Sequence, residues 1–176
     1  MLFSDRSLWT MLHGLVLSGG ALVLLAIALF ALRTMALPDG SAVPERQSSA
    51  FAGLTLAGAV LLWLAVLGGT YIVFPIYRAP PPEGVTALAQ YPRALLLSSP
   101  DTSWLHAFAM EIKEHMPWIA AMLVTAAAFI ARRHRVTLLA DGTLRRISGA
   151  LLGLAFLLVL FVALLGVFVN KVAPVW

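Results

Sequence analysis

The sequence lacks cysteine and has few charged residues. None of its 176 residues is Cys, and only 11% are charged, against about 25% in soluble globular domains. The absence of cysteine excludes disulfides, thiolate metal sites, iron–sulfur clusters and C-x-x-C-H haem attachment. Any metal or cofactor therefore depends on His, Met, carboxylate or backbone groups. Hydrophobic residues make up 61% of the chain, which indicates an integral membrane protein.

Long apolar runs define the predicted architecture. Four stretches reach or approach the roughly 20 apolar residues that a helix needs to cross a bilayer core, namely residues 8–32, 51–76, 104–131 and 147–170. The connections are short, so residues 1–176 are expected to form one all-α domain, an integral membrane four-helix bundle. The first run exceeds the roughly 7 to 15 residues of a signal-peptide core. We therefore expect a retained helix, with Ser7 as its N-cap.

The distribution of basic residues predicts the orientation. Seven of the twelve Lys and Arg residues lie in loops 33–50 and 132–148, and five of these flank the second loop. By the positive-inside rule these loops face the cytoplasm, which places both termini on the outer, periplasmic side. The same rule explains the net charge of +4 without a nucleic-acid partner. The composition, rich in Ala and Leu, fits a bacterial inner membrane.

The segment before the third span is amphipathic. The stretch LAQYPRALLLSSPD, residues 88–101, alternates apolar and polar groups and is expected to lie along the membrane surface. The third helix is predicted to start between Ser99 and Thr102, where SPDT supplies a cap and a first-turn acid. If it continues to Arg133, it is about 48 Å long and exceeds the core thickness.

Two histidines are predicted to share one depth. His13 lies 20 residues before Arg33, and His115 lies 17 residues before Arg132, so their heights differ by only about 4.5 Å. Both fall just inside the outer edge of the hydrocarbon. An ionisable side chain there is costly unless it is paired, ligated or faces a wet cavity.

Helical spacing groups the polar residues of the third span. A shared face is predicted for Trp104, Phe108, Glu111, His115, Trp118 and Met122, with His106 and Lys113 nearly opposite. Glu111 and His115 are one turn apart, so the carboxylate is placed to hold a ring N–H, as at many metal sites. On the first span, Gly20 removes a side chain below His13 and leaves room for a macrocycle or a close helix.

These features lead to a haem hypothesis. We predict a b-type haem in the outer leaflet between the first and third spans, with His13 and His115 as axial ligands of the metal and His106 as the substitute ligand. This arrangement resembles the four-helix membrane-anchor b-type cytochrome subunits of respiratory complexes. The resemblance implies electron transfer and exchange with quinone or quinol, in which Tyr71, Glu111 and Lys113, together with His106, are the candidate residues.

Other interpretations of the same residues stay open. Histidines at the membrane edge often only bind carbonyls or lipid heads, and Glu111, Lys113 and Glu114 also fit the solvated first turns of a long helix. The alternative function is a non-catalytic scaffold or accessory subunit of a large respiratory or photosynthetic complex, bound to the lipid bilayer and to other subunits. The chain is at most a redox subunit, since no H-E-x-x-H, G-x-S-x-G or P-loop pattern is present.

Overall fold

The computed structural model describes residues 4–35 and 45–174, and every regular element in these residues is helical. Four helices are long and apolar enough to cross a membrane, and they are called the first to fourth spans: Asp5–Thr34, Glu45–Arg78, Pro100–Arg133 and Gly142–Val172. Each contains one predicted stretch and extends it at both ends. The prediction of an all-α, multi-pass membrane protein is confirmed at this level. Residues 36–44, within the first predicted loop, lie outside the described residues.

Each span packs against two others. The first and third spans both pack on the second and fourth, so the first and third stand at opposite corners of the bundle. One end of the bundle, here called the terminal end, holds residues 4 and 174 and the connection 79–99. The other end carries Arg33 and the arginines between residues 132 and 146, and is called the basic end.

Small residues let the spans approach closely. Among the described residues, the main core contains ten buried alanines, namely Ala21, Ala28, Ala52, Ala59, Ala120, Ala121, Ala127, Ala128, Ala131 and Ala155. Gly58 contributes in the same way, because a Cβ there would already meet Cβ of Leu24 at 3.8 Å. Close backbone approach through small residues is a main source of packing energy between membrane helices.

The helix starts match the predicted capping chemistry with one correction. The prediction that Ser7 caps the first span is wrong. The cap is Ser4, whose backbone is extended and whose hydroxyl oxygen accepts the N–H of Ser7 at 3.2 Å. Ser7 is buried inside the first turn. Both serines fit a cap by residue type, and the helix extends to the earlier one because Asp5 favours the first turn. Ser99 caps the third span, as predicted, by accepting from the N–H of Asp101.

The amphipathic segment folds onto the terminal end of the bundle. It contains the short helix Pro92–Leu97, whose Leu96 is fully buried. Leu96 belongs to a second apolar cluster that includes Tyr77, Leu105 and Leu165. The segment therefore joins the second, third and fourth spans above the main core.

Three spans contain a π-helical segment in their terminal half. These wider turns cover Leu12–Ser18, Gly69–Val73 and Leu105–Met110. π-helix accounts for well under 1% of residues in proteins and occurs often at functional sites. His13 and His106 lie in two of these segments, and Gly69 begins the third.

Arg6 ties the two ends of the described chain together. Its guanidinium donates to the carbonyl oxygens of Pro174 at 2.8 Å, Ala173 at 3.3 Å and Ala89 at 3.3 Å. Two of these carbonyls follow the fourth span, and the third belongs to the connection 79–99. The planar guanidinium of arginine holds five donors in a fixed geometry, whereas the ammonium group of lysine is a compact point charge with only three.

Arg6→Lys is therefore expected to loosen the terminal end while keeping the charge. We expect the unfolding free energy in detergent to fall by about 1 kcal/mol and proteolysis within residues 79–99 to accelerate. Lys171→Gln is the control, because Lys171 is exposed on the fourth span near the same end. Unchanged stability and proteolysis in Arg6→Lys would contradict this role.

Candidate functional site

His13 is seated on the second span. Its Nδ1 lies 2.9 Å from the carbonyl oxygen of Ala65. A carbonyl oxygen only accepts hydrogen bonds, so Nδ1 carries the proton and donates it. In the neutral ring the lone pair is then on Nε2, which is the arrangement common in metal-binding histidines.

Gly69 makes this seat possible. A Cβ at Gly69 would lie 2.6 Å from Cε1 of His13 and 3.1 Å from its Nδ1. Real Cβ atoms do not approach other heavy atoms so closely, so the ring occupies the space of the missing side chain. His13, Ala65 and Gly69 together are called the histidine seat.

Lys113 extends into the same region from the third span. Its side chain is half-buried, and its Nζ would meet a Cβ on Gly166 of the fourth span at 3.0 Å. The Lys113 charge lies within electrostatic range of His13. None of the ion pairs formed within residues 4–35 and 45–174 includes Lys113. The terminal half of the bundle thus holds both a donor, Nζ of Lys113, and an acceptor, Nε2 of His13.

His106 takes part in a separate network. Its Nδ1 lies 2.8 Å from the hydroxyl oxygen of Tyr77, and Arg93 Nε donates to its Nε2 at 3.4 Å. Because Arg93 can only donate, Nε2 is the acceptor and Nδ1 carries the proton. Both ring nitrogens are engaged, so His106 as placed offers no lone pair to a metal ion. The three residues are called the tyrosine–histidine network.

His115 and Glu111 face out of the bundle. The side chain of His115 is 71% exposed and that of Glu111 is 65% exposed. The Nδ1 of His115 donates to the backbone carbonyl of Glu111 at 2.7 Å, while the Glu111 carboxylate lies 4.0 Å away. The predicted support of the ring by Glu111 is thus given by its carbonyl, and Nε2 again keeps the lone pair in the neutral ring.

The outward face of the third span is otherwise apolar. Exposed side chains run along it above and below Glu111 and His115, and we call this set the outward stripe: Trp104, Phe108, Glu111, His115 and Met122. Trp118, predicted on the same face, turns toward the second span, where its ring meets Trp63 edge to face at 5.8 Å. Trp63 also donates to the hydroxyl of Thr125 at 2.9 Å.

Two further predicted residues have simple surroundings. A Cβ at Gly20 would meet Cδ1 of Leu61 at 3.2 Å, so the second span occupies the space beside Gly20. Of the two alternatives predicted for this space, a macrocycle or a close helix, the structure has the close helix. Tyr71 is 70% exposed on the second span.

The structure does not bring the two predicted haem ligands together. His13 packs into the second span, whereas His115 points away from the bundle on the span at the opposite corner. As placed, they do not fit the two axial positions of one haem. Within residues 4–35 and 45–174, no group of three or more His, Asp or Glu side chains is arranged to hold a metal ion.

Several residues of these arrangements are not evident from the sequence. Ala65 acts through its carbonyl, which carries no sequence signal. Gly69 follows Gly68 in a Gly pair, which indicates close packing but not a histidine as the neighbour. Tyr77 precedes the connection 79–99 and Arg93 lies within it, so only the fold of this connection brings both side chains to His106.

Comparisons with known proteins find no matching family model, no matching curated protein and no matching solved structure. The resemblance to membrane-anchor cytochromes therefore stays a prediction. Function has to be inferred from the geometry of the polar residues.

The histidine seat gives a paired glycine test. Gly69→Ala is expected to lower the unfolding free energy by about 1 to 3 kcal/mol, because the new methyl group overlaps the His13 ring. Gly68→Ala is the matched control, since a Cβ there meets nothing within 4 Å and alanine favours helix. Thermal unfolding in one detergent measures both.

The double variant His13→Ala/Gly69→Ala separates the clash from a general backbone effect. If the ring is the obstacle, the second substitution costs little once His13 is removed, and the two changes are strongly non-additive. Equal tolerance of alanine at Gly68 and Gly69 would show that the ring does not occupy this position.

Proposed function

We propose that the chain is an accessory subunit of a larger membrane complex and that it docks through the outward stripe of the third span. The observation that carries this proposal is the exposure of Glu111 and His115 on an otherwise apolar face. Ionisable side chains at membrane depth nearly always face a protein interior or a wet cavity. His115, which stands within the core thickness, faces away from its own bundle together with Glu111 one turn above it, so another chain is the simplest source of cover.

The length of the third span supports this proposal. Its 34 residues extend about 51 Å, well beyond a core of about 30 Å. Counted from Arg132, His115 stands about 25 Å up the helix and Phe108 about 36 Å. Lipid tails therefore cover the lower stripe but do not reach Phe108 or Trp104. A protein partner covers the whole stripe.

The stripe also defines the chemistry of its partner. The Glu111 carboxylate accepts hydrogen bonds, and so does Nε2 of His115, because Nδ1 is bound to its own helix. The partner helix is therefore expected to bring donors, an arginine or a lysine, at this height, with apolar side chains above and below. Charge-assisted bonds of this type are the strong ones.

Site-specific crosslinking in native membranes tests this docking surface. A photoreactive residue at Phe108 or Met122 is expected to capture one defined polypeptide, whereas the same residue at Leu157 captures lipid. Leu157 is the matched control because it is exposed on the fourth span.

The dependence on the polar pair makes the test specific. His115→Leu is expected to reduce capture from Met122 by about three-fold or more, the effect of losing one hydrogen bond between membrane helices. If the stripe positions yield only lipid adducts, or if His115→Leu leaves the amount of captured polypeptide unchanged, the chain does not dock through this stripe.

Electron transfer is the second candidate function. It is favoured by the protonation of His13 and His115, whose Nδ1 atoms are both bound to carbonyls. Each neutral ring therefore presents an Nε2 lone pair, the form that binds haem iron. Lys113 adds a hydrogen-bond donor for a quinone carbonyl near His13. A haem bound by both rings requires a rearrangement of the spans, or ligation of each ring with a partner's residue.

An optical spectrum of the complex purified from its membrane tests this candidate. A reduced-minus-oxidised b-type signal is expected to be lost in His13→Ala or His115→Ala and kept in His134→Ala, since His134 lies at the basic end. A colourless complex, or a full signal in both of the first two variants, would eliminate His-ligated haem.

A further inference from the structure

A groove at the basic end separates the first and fourth spans. Its volume is about 550 Å³, and its lining includes Leu29, Phe30 and Arg33 from the first span and Arg145 and Arg146 from the fourth. One side of the groove is therefore apolar, and its mouth carries guanidinium groups from two helices. Neither docking through the outward stripe nor electron transfer involves this groove.

The charges at the groove are of one sign. Among residues 4–35 and 45–174, its lining contains three arginines and no acidic residue. The nearest acid in sequence, Asp141, accepts the N–H groups of Thr143 and Leu144 as the cap of the fourth span. Glu45, at the same end of the bundle, pairs with Arg135 at 2.9 Å. Arg33 and Arg146 therefore present positive charge at the groove that a bound anion would balance.

The apolar wall continues along the first span toward the middle of the bundle. Val23, Ile27 and Phe30 are exposed and spaced to share one helical face. Gly149 of the fourth span forms the opposite wall, where a Cβ would meet Cδ2 of Leu32 at 3.6 Å. A chain entering the groove from this face meets apolar side chains before it reaches the arginines.

We propose that this groove binds an anionic phospholipid, with its phosphate held by Arg33 and Arg146 and one acyl chain lying along Phe30, Ile27 and Val23. Arginine binds phosphate through two parallel N–H groups. A zwitterionic lipid carries a cation beside its phosphate, so it neutralises the arginine charges less well than an anionic lipid does. Basic pockets between membrane helices bind anionic head groups in this way. A free phosphate shares the head-group chemistry but leaves the apolar wall uncovered.

The test measures lipid binding by the purified, delipidated full-length protein. Native mass spectrometry in detergent compares phosphatidylglycerol, cardiolipin and phosphatidylcholine at equal concentrations. We expect at least one of the two anionic lipids, phosphatidylglycerol or cardiolipin, to bind at least ten-fold more tightly than phosphatidylcholine. Inorganic phosphate, added as a competitor, is expected to displace it only at far higher concentration. Equal binding of phosphatidylcholine, or displacement by phosphate at lipid-like concentrations, would overturn the proposal.

A charge-matched pair of variants tests the location. Arg33→Gln/Arg146→Gln is expected to weaken anionic-lipid binding about ten-fold or more. Arg132→Gln/Arg133→Gln removes the same charge at the same end but outside the groove lining, and is expected to change binding less than three-fold. Circular dichroism melting checks that both variants fold. An equal loss of lipid binding in both double variants would show that only net charge attracts the lipid. A peptide found in the groove in place of lipid would also refute the proposal.

Discussion

A polar group inside a bilayer has no water to bind, so each must find a partner in protein, ligand or lipid head group. This constraint accounts for the polar contacts that join the spans. Trp63 donates to the hydroxyl of Thr125, and His13 donates to the Ala65 carbonyl. Nearer the terminal end, beyond the reach of lipid tails, His106 also contacts Tyr77. Each bond joins two different spans, so the same contacts that satisfy polar groups also fix the spans relative to one another.

The same constraint identifies the ionisable side chains that the bundle itself does not fully accommodate. Lys113 enters the bundle without an acidic partner among the described residues, and Glu111 with His115 faces away from it. The first suggests a site inside the terminal half, and the second suggests a surface for another chain. An accessory subunit is compatible with both, because a partner that covers the outward stripe also changes the surroundings of His115. A redox role depends on that partner or on a bound group.

The two ends of the bundle differ in how their charges are arranged. At the terminal end, Arg6 and Arg93 bind within the protein, to carbonyls and to a ring nitrogen. At the basic end, Arg33 and Arg146 border a groove open to the bilayer. The terminal end is therefore organised by contacts within the chain, whereas the basic end combines one such contact, Arg135 with Glu45, with the groove that we propose binds lipid.

Much of the fold was predictable because its signals are local. The four apolar runs give the spans, and Ser99 and Pro100 give the start of the third span. Residues 88–101 were predicted to lie along the membrane surface, and the packing of Leu96 into the bundle was not evident from the sequence. The Ser4 cap was missed because two serines three residues apart offer the same hydroxyl, and the choice depends on backbone geometry. The π-helical segments had no sequence signal, since they differ from α-helix by one residue per turn.

The candidate site was predicted in its residues but not in its pairings. Helical periodicity correctly grouped most of the outward stripe on one face of the third span, because a side chain's direction follows from its position in the helix. It could not show whether that face turns inward or outward, since a membrane chain exposes apolar residues on both sides. The sequence by itself determined the four apolar helices and the identity of the ionisable residues that they carry. Only the tertiary structure decided that His13 packs against Gly69, that His106 binds Tyr77 and that His115 faces out of the bundle. The reason is that the rotation of each span about its axis depends on packing against its neighbours.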